Sequence, residues 1–177
     1  MWRLAVRYWN SAKLRLIWLM CRLFPMKKRK VAVCSYYGRG YGDNAKYIVD
    51  KLLDMQKDLQ IIWFVKNSDE AKTLPEGVIP CQIDTVKSVY HLLTAKVWID
   101  NSRKFFIRFK RKSQFYIQTW HGFALKRIEK DAQDKLAPSY VKSAKKDSQF
   151  IDYIISCSRF MTEIYKHAFW YDGKILE

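Results

Sequence analysis

Acidic residues are absent from the start of the chain, where the first aspartate or glutamate is Asp43. Over the 177 residues, 33 lysines and arginines outnumber 17 acids, so that the net charge is +16. Because such an excess of one sign attracts the opposite sign, it indicates an anionic partner. The candidate partners are a nucleic acid, a membrane surface and a phosphate-rich substrate.

Several motifs that would identify a class of enzyme are also missing. The four cysteines are scattered without a C-x-x-C pair, so neither a zinc site nor a redox motif is predicted. Unpaired cysteines are most simply explained by a reducing compartment. No cluster of histidines and acids has metal-ligand spacing, and we therefore expect no metal. The sequence has no G-x-x-x-x-G-K-[ST] motif, which excludes a P-loop ATPase.

Long hydrophobic runs are lacking as well. No stretch of about 18 uninterrupted apolar residues occurs, so no transmembrane helix is predicted. Cations interrupt the apolar part of the N-terminus, and no small-residue cleavage site follows it. These features argue against a secretory signal peptide.

The N-terminal segment instead has the pattern of an amphipathic helix. On a helical wheel of residues 2–23, tryptophans and leucines occupy one face and arginines the opposite face, with Trp18 misplaced on the polar side. Pro25 ends this helix, and four consecutive cations follow within residues 27–30. An arginine face opposite a tryptophan and leucine face is typical of a helix that lies in a membrane interface.

We therefore predict that residues 1–26 form a basic helix on the membrane surface, which implies a peripheral location at the cytoplasmic face of the cell membrane. Near an anionic leaflet each cation adds roughly 1 kcal/mol of attraction. The alternative is a helix that packs on its own domain or on a partner. The residues expected to bind the membrane are Trp2, Arg3, Arg7, Trp9, Arg15, Arg22, Lys27, Lys28, Arg29 and Lys30.

The second part of the chain, residues 27–177, alternates between short apolar runs and amphipathic helical patterns. Strands are predicted at 31–36, 61–65, 97–100, 115–118 and 153–156, with a weaker one at 79–83 and another beginning at 174. Helices are predicted at 43–55, 85–95 and 158–169. Strands that are apolar on both faces and alternate with helices indicate a parallel sheet covered on both sides. The predicted fold class is α/β, a Rossmann-like parallel sheet with helices on both faces.

Two loops follow predicted strands at the edge where open α/β sheets bind ligands. The glycine-rich stretch 38–44 occupies the place of a phosphate-binding loop, but it lacks the third glycine of the dinucleotide fingerprint. An acceptor-binding loop and a plain turn with a helix cap are equally weighted interpretations of it. The segment 100–102 could bind hydroxyl groups, although an Asx turn is slightly favoured there.

The best catalytic candidate is His121, which lies where a buried strand ends and a basic segment begins. Gly122 allows a backbone or ligand to approach closely, and Lys126 adds positive charge nearby. A histidine beside cations at a strand end suits phosphoryl chemistry on a hydroxyl acceptor. The other histidines fall in helical patterns and are interpreted as structural or surface residues: His91 and His167.

Several segments carry a resemblance to a known family, among them Asp43-Asn44-Ala45-Lys46-Tyr47-Ile48, Trp98-Ile99-Asp100-Asn101-Ser102 and Thr119-Trp120-His121-Gly122. In this order they resemble the CDP-glycerol glycerophosphotransferase family, which builds cell-wall teichoic acids in Gram-positive bacteria. The resemblance covers residues 30–177 and implies one of the two Rossmann-like domains of a GT-B fold. It also implies that His121 is the general base toward the acceptor hydroxyl, which attacks the β-phosphate of CDP-glycerol.

The acceptor implied by this family is a lipid-linked teichoic-acid chain, and the donor substrate is CDP-glycerol, with no other cofactor. Where family members often have threonine-proline after the histidine-glycine pair, this chain has Phe123-Ala124. The residues expected to bind the acceptor are Gly38, Arg39, Gly40, Asp43, Asn44, Asn101, Ser102, Trp120, Gly122 and Lys126.

Members of this family continue into a donor-binding domain beyond the point where these 177 residues stop. We therefore expect an acceptor-side half that is inactive alone and needs a donor domain or a partner chain carrying one. The alternatives are a sugar transferase of the same architecture and a non-catalytic, membrane-tethered module that binds an anionic cell-wall polymer or a partner transferase. Nucleic-acid binding is not expected, because the aromatic residues fall mostly in predicted cores and no binding motif is present.

Overall fold

A computed structural model describes residues 12–55, 58–104 and 110–177 of the chain. Within these ranges, seven strands form one sheet in which every neighbouring pair is parallel. The strands are β1 (Lys27–Cys34), β2 (Gln60–Val65), β3 (Val78–Gln82), β4 (Ala95–Asp100), β5 (Phe115–Gln118), β6 (Tyr153–Ile155) and β7 (Lys174–Leu176). Their spatial order is β3-β2-β1-β4-β5-β6-β7.

Helices cover both faces of this sheet. The α-helices of the described ranges are α1 (Ala12–Arg22), α2 (Asp43–Asp54), α3 (Ser68–Ala71), α4 (Val86–Thr94), α5 (Pro138–Ser148) and α6 (Arg159–Ala168), and a 3-10 helix spans Glu129–Lys135. Alternate residues of β1 enter separate apolar clusters, Val31 and Val33 on one face and Ala32 and Cys34 on the other. These observations confirm the predicted α/β class, a Rossmann-like parallel sheet with helices on both faces.

Short-range signals explain where the helices begin. At α4, the Thr85 hydroxyl accepts a hydrogen bond from the Ser88 backbone N–H at 3.0 Å, and the Ser88 hydroxyl accepts one from the Thr85 N–H at 3.2 Å. This reciprocal capping satisfies two donors that the first turn of a helix leaves unpaired. α5 is not among the helices predicted from the sequence, although Pro138 at its first position is a common start signal.

The helix α1 packs against α4 through its Trp18 side. Trp18 is 1% exposed and Cys21 is also buried. Trp18, which departs from the apolar face of the helical wheel, is therefore the ring that anchors this helix to its own domain. The described part of the predicted apolar face is left uncovered, with Leu23 86% exposed and Leu19 61% exposed. None of the described helices is both long and apolar enough to cross a bilayer.

The predicted membrane-binding residues differ in where they lie. Lys27, Lys28 and Arg29 are exposed at the start of β1, and Arg29 pairs with Asp58 at 2.6 Å. The structure contradicts the prediction that Lys30 binds the membrane. Its side chain is buried, at 1% exposure, and its ammonium donates to the Thr94 hydroxyl at 2.7 Å. Burial lowers the pKa of Lys30 to about 8. The predicted contacts that lie outside the described residues are Trp2, Arg3, Arg7 and Trp9.

Candidate functional site

The candidate site lies at the carboxyl ends of β1, β4 and β5. β1 has β2 on one side and β4 on the other, so the chain reverses its direction of travel across the sheet at this point. Such a topological switch opens a crevice at the carboxyl ends of the strands, where ligands bind in open α/β sheets. The glycine-rich loop after β1, the Asn101 loop and the His121 loop all start from this edge.

Asn101 joins two of these loops and the start of α2. Its side-chain amide donates to the Ser35 hydroxyl at 3.1 Å and to the Asp43 carboxylate at 2.6 Å, while its side-chain oxygen accepts from the Tyr36 backbone N–H at 2.8 Å. Asn101 is completely buried. A buried amide with these partners fixes the shape of the crevice, because moving it would leave several polar groups unpaired.

This burial corrects the prediction that Asn101 and Ser102 contact the acceptor directly. Both side chains are enclosed, and the Ser102 hydroxyl donates to the Asn101 side-chain oxygen at 3.0 Å. The Ser102 backbone N–H donates to the Asp100 carboxylate at 2.9 Å, which is the Asx turn favoured from the sequence. These residues hold neighbouring loops in place and do not line the crevice.

His121 is exposed at the end of β5, and its ring is held from two sides. Its Nδ1 lies 2.5 Å from the backbone carbonyl oxygen of Asn101, and its ring stacks on Trp120 with centroids 4.2 Å apart. Since a carbonyl oxygen can only accept, Nδ1 carries the proton and the neutral ring keeps a lone pair on Nε2. Nε2 has no hydrogen-bond partner among the described residues. In its neutral form the ring therefore presents Nε2 as the nitrogen that can accept a proton.

The Trp120 ring rests above a buried arginine. The Arg103 guanidinium lies 4.5 Å from the ring centroid of Phe169 and 5.8 Å from that of Trp120. It pairs with Glu129 at 2.9 Å and with Asp147 at 3.1 Å, and all three side chains are buried. No local sequence pattern links Arg103 to these acids, because both lie far along the chain.

The predicted loop residues occupy several different environments. Gly38 has a φ of +85°, and a Cβ there would come within 2.9 Å of the Lys66 backbone nitrogen, so that this position needs glycine. Arg39 is exposed and Gly40 is half-buried in the same loop. Asn44 donates to the Thr119 carbonyl oxygen at 3.3 Å, which ties the start of α2 to the strand end before His121.

The remaining predicted residues lie on the His121 loop. Gly122 has a φ of +94° with open space around it, and Lys126 is exposed. The structure therefore brings Asp43, Asn44 and His121 together around the Asn101 anchor. Among the described residues, no group of histidines, cysteines and acids could hold a metal ion.

The fold and this site define an α/β domain with an exposed histidine, His121, at the switch point where open α/β sheets bind ligands. The family model described as CDP-Glycerol:Poly(glycerophosphate) glycerophosphotransferase matches residues 16–177. Because that match covers most of the chain, the protein belongs to this family.

Individual relatives agree with this assignment. A teichoic acid poly(glycerol phosphate) polymerase of Staphylococcus epidermidis is 32% identical over 86% of this chain and 22% of its own length. A teichoic acid glycerol-phosphate transferase of Staphylococcus aureus is 33% identical over 81% of this chain and 38% of its own length. A solved structure of the wall teichoic acid polymerase TagF superposes with a TM-score of 0.79 and 28% identity, over 99% of this chain and 46% of that one. The chain thus spans less than half the length of these relatives.

Proposed function

We propose that this chain is the acceptor-side half of a glycerophosphotransferase that extends a lipid-linked teichoic-acid chain. The observation that supports this most strongly is the hydrogen bond between His121 Nδ1 and the Asn101 carbonyl oxygen, which leaves Nε2 able to accept a proton. General base catalysis by a positioned histidine typically contributes a factor of about 10²–10⁴.

In the proposed reaction, Nε2 of His121 takes the proton from a terminal hydroxyl of the acceptor. The hydroxyl oxygen attacks the β-phosphate of CDP-glycerol, a new P–O bond forms, and the bond between the two phosphates breaks to release CMP. Arg39 on the glycine-rich loop and Lys126 on the His121 loop are exposed and would attract the phosphates. The donor itself is expected on a second domain or on a partner chain, so these 177 residues alone should release no CMP.

The same proposal places the protein on the membrane surface as a peripheral protein of the cytoplasmic face. Leu16, Leu19, Met20 and Leu23 form an uncovered apolar face on α1, although Trp18 docks the helix on α4. Exposed cations of β1 follow directly after this helix in the chain. An apolar face beside cations favours an anionic membrane interface, where the lipid-linked acceptor is found.

The test joins these 177 residues to the donor half of the Staphylococcus epidermidis relative and measures CMP release from CDP-glycerol with a poly(glycerol phosphate) acceptor. We expect activity in this chimera and a loss of about 10²–10⁴-fold in His121→Ala. The matched control is His167→Ala, since His167 pairs with Asp131 at 2.7 Å and is not part of the crevice. Equal activity of the two variants would contradict the role of His121.

A further inference from the structure

A second concave site lies apart from the switch-point crevice. It has a volume of about 390 Å³, within the range of about 300–1,000 Å³ that is usual for ligand sites. It forms where the ends of α5 and α6 meet the 3-10 helix and the segment before β7. The residues that line it include Lys130, Lys145, Lys166, Phe169, Trp170 and Asp172.

Positive charge dominates this cavity, since three lysines face a single carboxylate, Asp172. Lys166 pairs with Glu163 at 2.8 Å, but both side chains are more than half exposed, so solvent screens this pair strongly. Lys130 and Lys145 have no carboxylate partner among the described residues. An anionic ligand would supply the missing counter-charge, and lysine is a common phosphate-binding residue.

Helix electrostatics explain only part of this cluster. Lys145 and Lys166 lie in the last turns of α5 and α6, where a cation interacts favourably with the helix dipole. Lys130, by contrast, is the second residue of a short 3-10 segment that the non-helical Ala132 interrupts, so it does not lie in the last turn of a continuous helix. Helix electrostatics therefore do not account for its place at the cavity.

The aromatic wall makes the cavity suitable for more than a simple ion. The Lys145 ammonium lies 5.6 Å from the ring centroid of Trp170, so that a cation and an apolar surface are presented side by side. Phe169 also lines the cavity, and its ring meets that of Trp120 with centroids 4.8 Å apart. Trp120 in turn stacks on His121. The rings of Phe169 and Trp120 therefore form a continuous series of contacts from this cavity to the candidate catalytic histidine.

We propose that the cavity binds phosphodiester groups of a poly(glycerol phosphate) chain at a distance from the reacting end. Its lysines would pair with the phosphates, while Trp170 would pack against the glycerol carbons between them. The identity of the polymer rests on the function proposed above, whereas the anion site rests on the cavity and its lysines. Holding the body of the polymer here would raise the local concentration of its end near His121.

The test measures binding of a fluorescently labelled poly(glycerol phosphate) oligomer to the 177-residue chain by fluorescence anisotropy. The double variant Lys130→Gln, Lys145→Gln should bind about tenfold more weakly, since two charge-assisted contacts are lost. The control is Lys142→Gln, Lys146→Gln, which removes the same charge from exposed positions of α5 outside the cavity. We expect that control to change the affinity less than about twofold.

An equal loss of affinity in both double variants would show that the polymer is held by diffuse charge, and this would overturn the proposal. No binding by the unmodified chain would overturn it too. A double variant that loses sedimentation with phosphatidylglycerol vesicles but keeps oligomer binding would assign the cavity to a lipid headgroup instead. Binding of the oligomer does not require the transfer reaction. If the chimera were inactive but the chain still bound the oligomer, the proposed reaction would be rejected and the proposed binding site would be retained.

Discussion

Replacing Arg103 by methionine should destabilise the domain strongly, because Arg103 is the buried cation between two buried acids. The variant leaves Glu129 and Asp147 without their shared partner, and it also removes the hydrogen bond to the Ser148 hydroxyl at 2.8 Å. Breaking a buried pair by removing one partner costs about 3–5 kcal/mol. For a chain of this size, that corresponds to a fall of about 6–20 °C in the melting temperature.

The size of this loss should depend on pH through Asp147. Burial raises the pKa of Asp147 to about 6, although the Arg103 guanidinium opposes that rise. A carboxyl group whose folded-state pKa exceeds its unfolded value takes up a proton on folding, so stability falls as the pH rises through that range. Without the guanidinium this pKa rises further, and the deficit of Arg103→Met should therefore grow from about pH 5 to about pH 8.

Thermal unfolding followed by circular dichroism measures both effects. The matched control is Arg29→Met, the same substitution in an exposed pair with Asp58, which should cost at most about 1 kcal/mol. If Arg103→Met melted within about 2 °C of the unmodified chain, or if its deficit shrank toward high pH, the buried charge network would be refuted.

Three further predictions concern other parts of the chain. Trp18→Ala should lower the free energy of denaturant unfolding by about 3–5 kcal/mol, because its ring is buried against the domain. The exposed Leu19→Ala should lower it by less than about 0.5 kcal/mol. Equal losses would contradict the docking of α1. The triple variant Leu16→Gln, Leu19→Gln, Leu23→Gln should lose sedimentation with anionic vesicles, and unchanged sedimentation would reject the membrane face. Thr85→Ala should cost about 1 kcal/mol through the lost cap of α4, and an unchanged denaturation midpoint would argue against that cap.

The sheet could be predicted because its signal is local. Each central strand is an apolar run bounded by polar turns, and the run Ile61 to Val65 forms the buried part of β2 as expected. These runs alone do not determine the order of the strands in the sheet. Their alternation with helices nevertheless indicates that neighbouring strands are parallel. α5 escaped prediction because its exposed face is rich in lysine and serine and its few buried residues, such as Ala144, are small.

The site was predictable only in part, for a different physical reason. His121 follows a buried strand, and that position marks the ligand edge of a parallel sheet. Lys30 was predicted to bind the membrane, and Arg103 was not singled out, since the sequence does not show which charges find buried partners across the fold. Burial of Asn101 likewise depends on Ser35, Tyr36 and Asp43, which it meets only in the folded chain.

The central claim is that neutral His121 presents an unprotonated Nε2 at the crevice. Nitrogen-15 NMR of the imidazole rings measures this directly, and His121→Gln assigns the signal among the three histidines of the chain. The account predicts the tautomer with the proton on Nδ1, held by the Asn101 carbonyl oxygen. A neutral His121 protonated on Nε2 would contradict it, because that nitrogen could not take a proton from an acceptor hydroxyl.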